Sequence, residues 1–356
     1  MTVSVVIPAY NAGSFIDDAI TSVLAQDVAA DEIIVIDDGS IDRDYAELKH
    51  LHSSIKVVRQ PNRGVSAARN LGCNEATSTY IAILDADDVW LSGKLRMQIR
   101  HLSKNPSVDA VFCRGLVWMP LPNGTTWVPP AFPPNDDALE QKVIPLCYPD
   151  FLCSVPVAPS TMVIKKSVWQ ELGGFNESMR YGEDFDFYLR LSFRWKVDLL
   201  DIVGMLYRRH PNSATAAVQE TNHWANVINR AVETLGTKDI FGNQVDPSRL
   251  AQYLSHIHFQ YGYSNFLASN FRAARRGFWL SVKKSPRNYR AIAYLITSSA
   301  PGLRTFAWWL RQRLVEQEDD ALSGNRHLPV ESDLTKLETK DALRQRRTRK
   351  SRLSQD

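Results

Sequence analysis

Residues 81–88 read IAILDADD, an apolar run that ends by placing three aspartates in four positions. Such crowded like charges need a compensating partner. One partner is backbone N–H, with Asp87 or Asp88 capping a helix that starts near Trp90. The other is a hard cation, Mg²⁺ or Mn²⁺, which takes oxygen ligands and keeps waters and phosphates in its shell. Asp85 and Asp87 are two residues apart, so extended backbone projects both to the same side. A second cluster, IIVIDDGS, has the same form, with Gly39 supplying a turn after Asp37 and Asp38. An acid there can accept hydrogen bonds from a ribose or a base edge. The third, GEDFDFYLR, sets Glu183, Asp184 and Asp186 at the start of a helical pattern. They either complement the helix dipole or, with Phe185, Phe187 and Leu189 anchoring that end in a core, supply a general base.

The elements that must hold these acids follow from hydrophobic periodicity. Strands are predicted at residues 3–7, 33–36, 55–58, 80–84, 108–112, 161–164, 197–200 and 203–207. Helices are predicted at 14–25, 42–52, 66–76 and 91–102, with a short one near Val168. Alternating strands and helices imply right-handed βαβ units and a mostly parallel sheet, with ligands at the carboxyl ends of the strands. No GxGxxG or GxxxxGK loop is present, so phosphate charge falls to a metal rather than to a backbone nest.

The ordered motifs SVVIPAYN, SVLAQ, EIIVIDDGSID, PNRGVSAARNLG, YIAILDADDVW and GGFNESMRYGEDFDFYLR resemble the family 2 glycosyltransferases of GT-A fold. The resemblance covers roughly residues 1–210. It implies that Pro8, Ala9 and Tyr10 line the base and ribose, and that Asp38 contacts one of them. Arg69 would lie near the nucleotide. Asp85 and Asp87 would form a DxD motif holding a divalent cation on the diphosphate, with Asp88 close by. Asp184 would be the base that deprotonates the acceptor hydroxyl, with Glu183 beside it. Arg190 would contact that acid or the diphosphate, and His210, in YRRHPNS, would stand near the phosphates and metal. The implied fold is α/β, a Rossmann-like nucleotide-diphospho-sugar transferase fold with a C-terminal helical region. The implied activity is inverting transfer from a nucleoside-diphosphate sugar, a UDP-sugar, to a saccharide or lipid-linked acceptor in cell-surface polysaccharide or lipopolysaccharide synthesis. Two other readings stay open: a nucleotidyltransferase or sugar-nucleotide pyrophosphorylase, and an inactive sugar-binding homologue.

Composition bounds the rest. The chain of 356 residues is 44% hydrophobic, enough for a packed core, and has no apolar run long enough to span a bilayer. Its N-terminus does not read as a signal peptide, so a cytoplasmic protein is expected, peripheral at most on the inner face of the plasma membrane. The four cysteines lack CxxC spacing and read as free thiols. Residues 1–215 form the expected catalytic domain, with a nucleotide-sugar half at 1–115 and an acceptor half at 116–215. Residues 118–160 include a proline-rich excursion suited to acceptor binding. Residues 216–315 are expected to be helical, and 316–356 a charged, disordered tail. The net charge of +3 conceals a segment, residues 247–315, with eleven Lys and Arg and no acid. Interleaved with aromatics, that segment either packs on the catalytic domain or lies on an anionic membrane surface. No motif points to nucleic acid.

Overall fold

The computed structural model describes residues 1–118, 142–154, 157–210 and 218–299. Among them, nine strands join one sheet: β1 (Val3–Ala9), β2 (Glu32–Asp37), β3 (Ile55–Arg59), β4 (Tyr80–Ile83), β5 (Val89–Trp90), β6 (Ala110–Trp118), β7 (Val143–Leu146), β8 (Val163–Lys165) and β9 (Val197–Arg208). The helices are α1 (Ile16–Leu24), α2 (Val65–Glu75), α3 (Lys94–Lys104), α4 (Tyr148–Cys153), α5 (Lys166–Leu172), α6 (Glu183–Arg194), α7 (His223–Leu235), α8 (Pro247–Leu267), α9 (Phe271–Lys284) and α10 (Tyr289–Ser299). Of the excursion expected at 118–160, residues 119–141 and 155–156 lie outside the described residues, and the rest is not irregular, since it carries β7 and α4. Residues 300–356 also lie outside them.

The sheet order is β3-β2-β1-β4-β8-β6-β9-β5, with β7 also on β9. β3, β2, β1 and β4 are parallel, so the carboxyl ends of β1, β2 and β4 open on one edge. The chain order reverses between β1 and β4, the place where such sheets bind ligands. Beyond β4 the sheet is mixed: β8 runs antiparallel to both β4 and β6, and β9 runs parallel to β6. Residues 197–208 form a single strand rather than two, because β9 bulges at Asp201, Ile202 and Gly204, opposite Cys113, Arg114 and Gly115 of β6, and continues beyond. Residues 42–52 give only a 3-10 turn, Tyr45–His50.

Alternation along β1 sends Val6 to one face and Val5 and Ile7 to the other, seeding two separate apolar clusters. α2 covers the Val6 face at very close range. A Cβ on Gly72 would stand 2.3 Å from Val6 Cγ1, so only glycine lets the helix approach this far. The cluster that holds Phe185 and Phe187 of α6 also holds Ala225 and Ile228 of α7 and Leu254 of α8. A third cluster joins Phe259, Phe266, Ala274, Phe278 and Ala291 of α8–α10. All four cysteines are free thiols.

Candidate active site at the strand ends

Pro8 and Ala9 are buried at the end of β1, and Tyr10 follows with 53% of its surface exposed. Asp38, after β2, is buried and accepts from Gln60 Nε2 (2.7 Å), Arg63 N (2.9 Å) and Gly64 N (2.9 Å). It therefore fastens the loop that leads into α2. The expectation that Asp38 faces a base or ribose meets a carboxylate already held by three donors of its own chain.

Arg69 projects from α2 and is almost fully buried. Its guanidinium donates to Asp85 Oδ1 at 2.7 Å and to Glu183 Oε1 at 3.1 Å, and lies 5.3 Å from the Phe175 ring centre. One cation thus joins the acid after β4 to the acid that opens α6. Burial alone would lower the Arg69 pKa, but Asp85 and Glu183 hold it above its ordinary value. Asp184 sits beside this bridge, half-buried, with its pKa raised to about 6. Burial is the main cause and the Glu183 charge adds to it, while Arg69 opposes. A carboxyl poised near neutrality beside the strand-end acids has the properties of a general base.

The DADD segment itself is a turn, with Asp88 N donating to Asp85 O at 3.0 Å. Asp88 is 1% exposed and accepts from Ser160 Oγ at 2.6 Å and from Arg208 N at 3.2 Å. The same Ser160 hydroxyl accepts from Asp85 N at 3.0 Å. Burial first, then the charges of Asp87 and Asp85, push the Asp88 pKa well above the usual carboxylate range. Asp88 is therefore the internal strut of the turn. It caps no helix, because Val89–Trp90 is a strand and α3 starts later, after Gly93 at φ 78°.

Asp87 is 30% exposed, and its Oδ2 lies 3.0 Å from His210 Nε2. Arg208 donates from Nε to Asp87 O at 2.9 Å and from Nη2 to Asp18 Oδ2 at 2.8 Å. Its guanidinium lies between two rings, 4.9 Å from the Phe15 centre and 4.4 Å from the Trp118 centre. The Phe15 ring also lies 4.7 Å from the His210 ring.

The pattern that defines glycosyl transferase family 2 matches residues 4–151, the stretch that builds the three strand ends. This chain carries a family 2 glycosyl transferase domain. The uncharacterized glycosyltransferase EpsJ of Bacillus subtilis (strain 168) is 32% identical over 231 residues, 60% of this chain and 62% of that protein. A UDP-Glc:alpha-D-GlcNAc-diphosphoundecaprenol beta-1,3-glucosyltransferase of Escherichia coli, WfgD, is 40% identical over 105 residues, 29% of this chain and 42% of its own. The chain thus matches less than two thirds of the length of either relative. S. aureus TarS residues 1–349, crystallised with UDP-GlcNAc, superpose with a TM-score of 0.57 at 18% identity, over 88% of this chain and 92% of that one. That likeness is one of fold.

The side chains around Asp87 fit a divalent cation in part. Asp85 and Asp87 each have one oxygen held by a protein cation or imidazole and one free of that bond. Burial and the Asp85 charge raise the Asp87 pKa, so added positive charge there relieves both acids. Among the described residues, however, no three His, Cys, Asp or Glu side chains form a ready metal cage. Two carboxylates and an imidazole suit a cation that takes its remaining ligands from water and a diphosphate.

Arg190 faces elsewhere. It donates to Asp186 Oδ2, Leu172 O and Gly174 O, each at 2.8 Å, and so ties α6 to the end of α5 rather than reaching Asp184. Several side chains that hold the site were not legible as such: Ser160, Arg208, Phe15 and Asp18. The first turn of α7 also reaches α6. The Trp224 ring, 40% exposed, is 5.1 Å from Phe185, and His223 is 5.1 Å from Tyr181.

Proposed function

We propose that the chain is an inverting glycosyltransferase that moves a sugar from a UDP-sugar to a hydroxyl of a saccharide or lipid-linked acceptor in cell-surface polysaccharide synthesis. The observation that carries this reading is the Arg69 bridge, which fixes Asp85 of the strand-end turn and Glu183 beside Asp184 in one cluster. Donor side and acceptor side of a transfer reaction would meet there. The names of relatives support a UDP-linked donor: WfgD is named for UDP-Glc, and TarS was crystallised with UDP-GlcNAc.

In this reading Asp184 takes the proton of the acceptor hydroxyl as its oxygen bonds to the anomeric carbon. The bond from that carbon to the diphosphate oxygen breaks, and the nucleoside diphosphate leaves with the bonding pair. General-base catalysis of this kind contributes about 10²–10⁴-fold. Asp85 and Asp87 would hold a divalent cation, Mg²⁺ or Mn²⁺, with His210 on Asp87. When bound, that ion neutralises charge on the leaving diphosphate. Tyr181, His223 and Trp224 flank the start of α6 and suit the acceptor side.

The test is a screen of UDP-sugars for hydrolysis and transfer with Mn²⁺ or Mg²⁺. A single donor turned over only with cation supports the reading. No turnover and no UDP binding by calorimetry would overturn it.

A further inference from the structure

α9 has two faces of opposite character. Ala274, Gly277, Phe278 and Ser281 are buried, at the three- and four-residue steps of one helical stripe. The contact with α8 on this side is intimate. A Cβ on Gly277 would stand 2.7 Å from Gly262 Cα, and Ser281 Oγ donates to Ser255 O at 2.7 Å. On the other side Arg272, Arg276, Trp279 and Lys283 are all exposed, at steps of four, three and four. Such spacing places them in one row. Trp279 keeps 53% of its surface exposed in the middle of that row, with the Lys283 ammonium 5.3 Å from its ring centre.

α10 packs on α9 and adds a second exposed row, Tyr289, Ala293 and Ile296, in which Tyr289 is 75% and Ile296 57% exposed. Between residues 247 and 299 there are eight Lys and Arg and no acid. An ordinary solvated helix face intersperses both signs, whereas α9 exposes cations around a tryptophan and α10 an aromatic and aliphatic ridge. Cations with a tryptophan on one helix, and a tyrosine with an aliphatic ridge on the helix packed against it, supply the components that a lipid surface takes: anionic headgroups, then an interfacial belt, then acyl chain.

We propose that the α9–α10 face docks on an anionic lipid bilayer. Phosphate of a nucleic acid would engage the arginines equally well, but it leaves Ala293 and Ile296 without a partner. The inference concerns where the chain sits and stands whether or not it transfers sugar. If the acceptor is lipid-linked, the same face brings the chain to it, because α8 packs against α7 and α7 against α6, the helix of Asp184.

The experiment is sedimentation of the full chain with vesicles of phosphatidylcholine, with and without phosphatidylglycerol. Binding is expected only with the anionic lipid, and only at low salt. Replacing Arg272→Gln, Arg276→Gln and Lys283→Gln together should lower partitioning roughly 100-fold, at about five-fold for each charge near an anionic surface. Trp279→Ser should weaken binding while leaving its salt dependence unchanged. The proposal falls if both vesicle types pellet the chain equally, or if the triple variant binds like the parent. It also falls if neutralising Arg346, Arg347, Arg349 and Lys350 alone abolishes binding, or if a short RNA binds the face more tightly than the vesicles do. UDP binding, measured on the triple variant by calorimetry, should be unchanged, which separates failure here from failure of the transferase reading.

Discussion

Arg69 Nη2 lies 2.7 Å from Asp85 Oδ1, a contact between the helix that packs over β1 and β2 and the turn that follows β4. The partners are 5% and 23% exposed, so neither side chain can find full hydration if the other is removed. Arg69→Ala should therefore cost about 3–5 kcal/mol, since it leaves Asp85 and Glu183 without their cation in a shielded site. Chemical denaturation measures this. Arg69→Lys keeps the charge but not the fork that reaches two acids, and should recover only part of the loss. Parent-like stability in the Ala variant would show that the bridge has no structural weight.

Asp184 ties activity and stability to pH in opposite directions. Its pKa is raised to about 6 in the folded chain, so as a base it works only above that value. Transfer should rise through pH 6 and level off. Stability runs the other way: between the ordinary aspartate pKa and about 6 the folded state holds more protons than the unfolded one, so stability falls as pH increases through that window. Asp184→Asn should abolish the acid limb, lower transfer about 10²–10⁴-fold, and fold at least as stably as the parent at pH 8. A pH–rate profile beside pH-dependent melting checks both arms, and an Asn variant that transfers at the parent rate ends the base assignment.

His210, two residues past the end of β9, holds Asp87 at 3.0 Å from its carboxylate. A partner that orients a metal-binding carboxylate typically changes metal affinity or activity about 10–100-fold when removed. His210→Ala should shift the Mn²⁺ concentration needed for half-maximal activity upward by that factor. An unchanged cation titration would reduce His210 to a packing partner of Phe15.

Two of the acid clusters were legible because each breaks an apolar run abruptly, and burial on both faces of a parallel strand makes that break conspicuous. The third stood out as three acids opening a helical pattern. Which acids remain available was not legible. Asp88 is held by Ser160 and Arg208, which lie 72 and 120 positions away in the chain, and no local pattern carries such distant partners. Asp38 is consumed by backbone N–H groups of the loop at Arg63 and Gly64, whose direction depends on how that loop closes. Arg190 did carry a local signal. Asp186 stands four residues before it, the spacing at which helix side chains meet, whereas Asp184 stands six before and on another side of the helix. The two-residue strand β5 is fixed only by β9, and so by tertiary pairing rather than by its own composition.

Gly72 separates the packing of the fold from the chemistry of the site. A methyl group added there would lie 2.3 Å from Val6 Cγ1 and 3.1 Å from Ile36 Cγ1, both on strands whose ends carry the site loops. Val6 and Ile36 are fully buried, and neither can turn aside without opening the sheet. α2 must therefore lift off, carrying Arg69 with it. Gly72→Ala should lower stability by about 1–3 kcal/mol, the usual cost of overpacking a core, against the small gain alanine brings to a helix interior. Because Arg69 moves with α2, UDP affinity should weaken in the same variant, even though Gly72 lies away from the strand ends. Thermal unfolding and UDP calorimetry on the one protein test the coupling: a stability loss with unchanged affinity would mean that the bridge adjusts to helix position and that α2 does not set the geometry of the site.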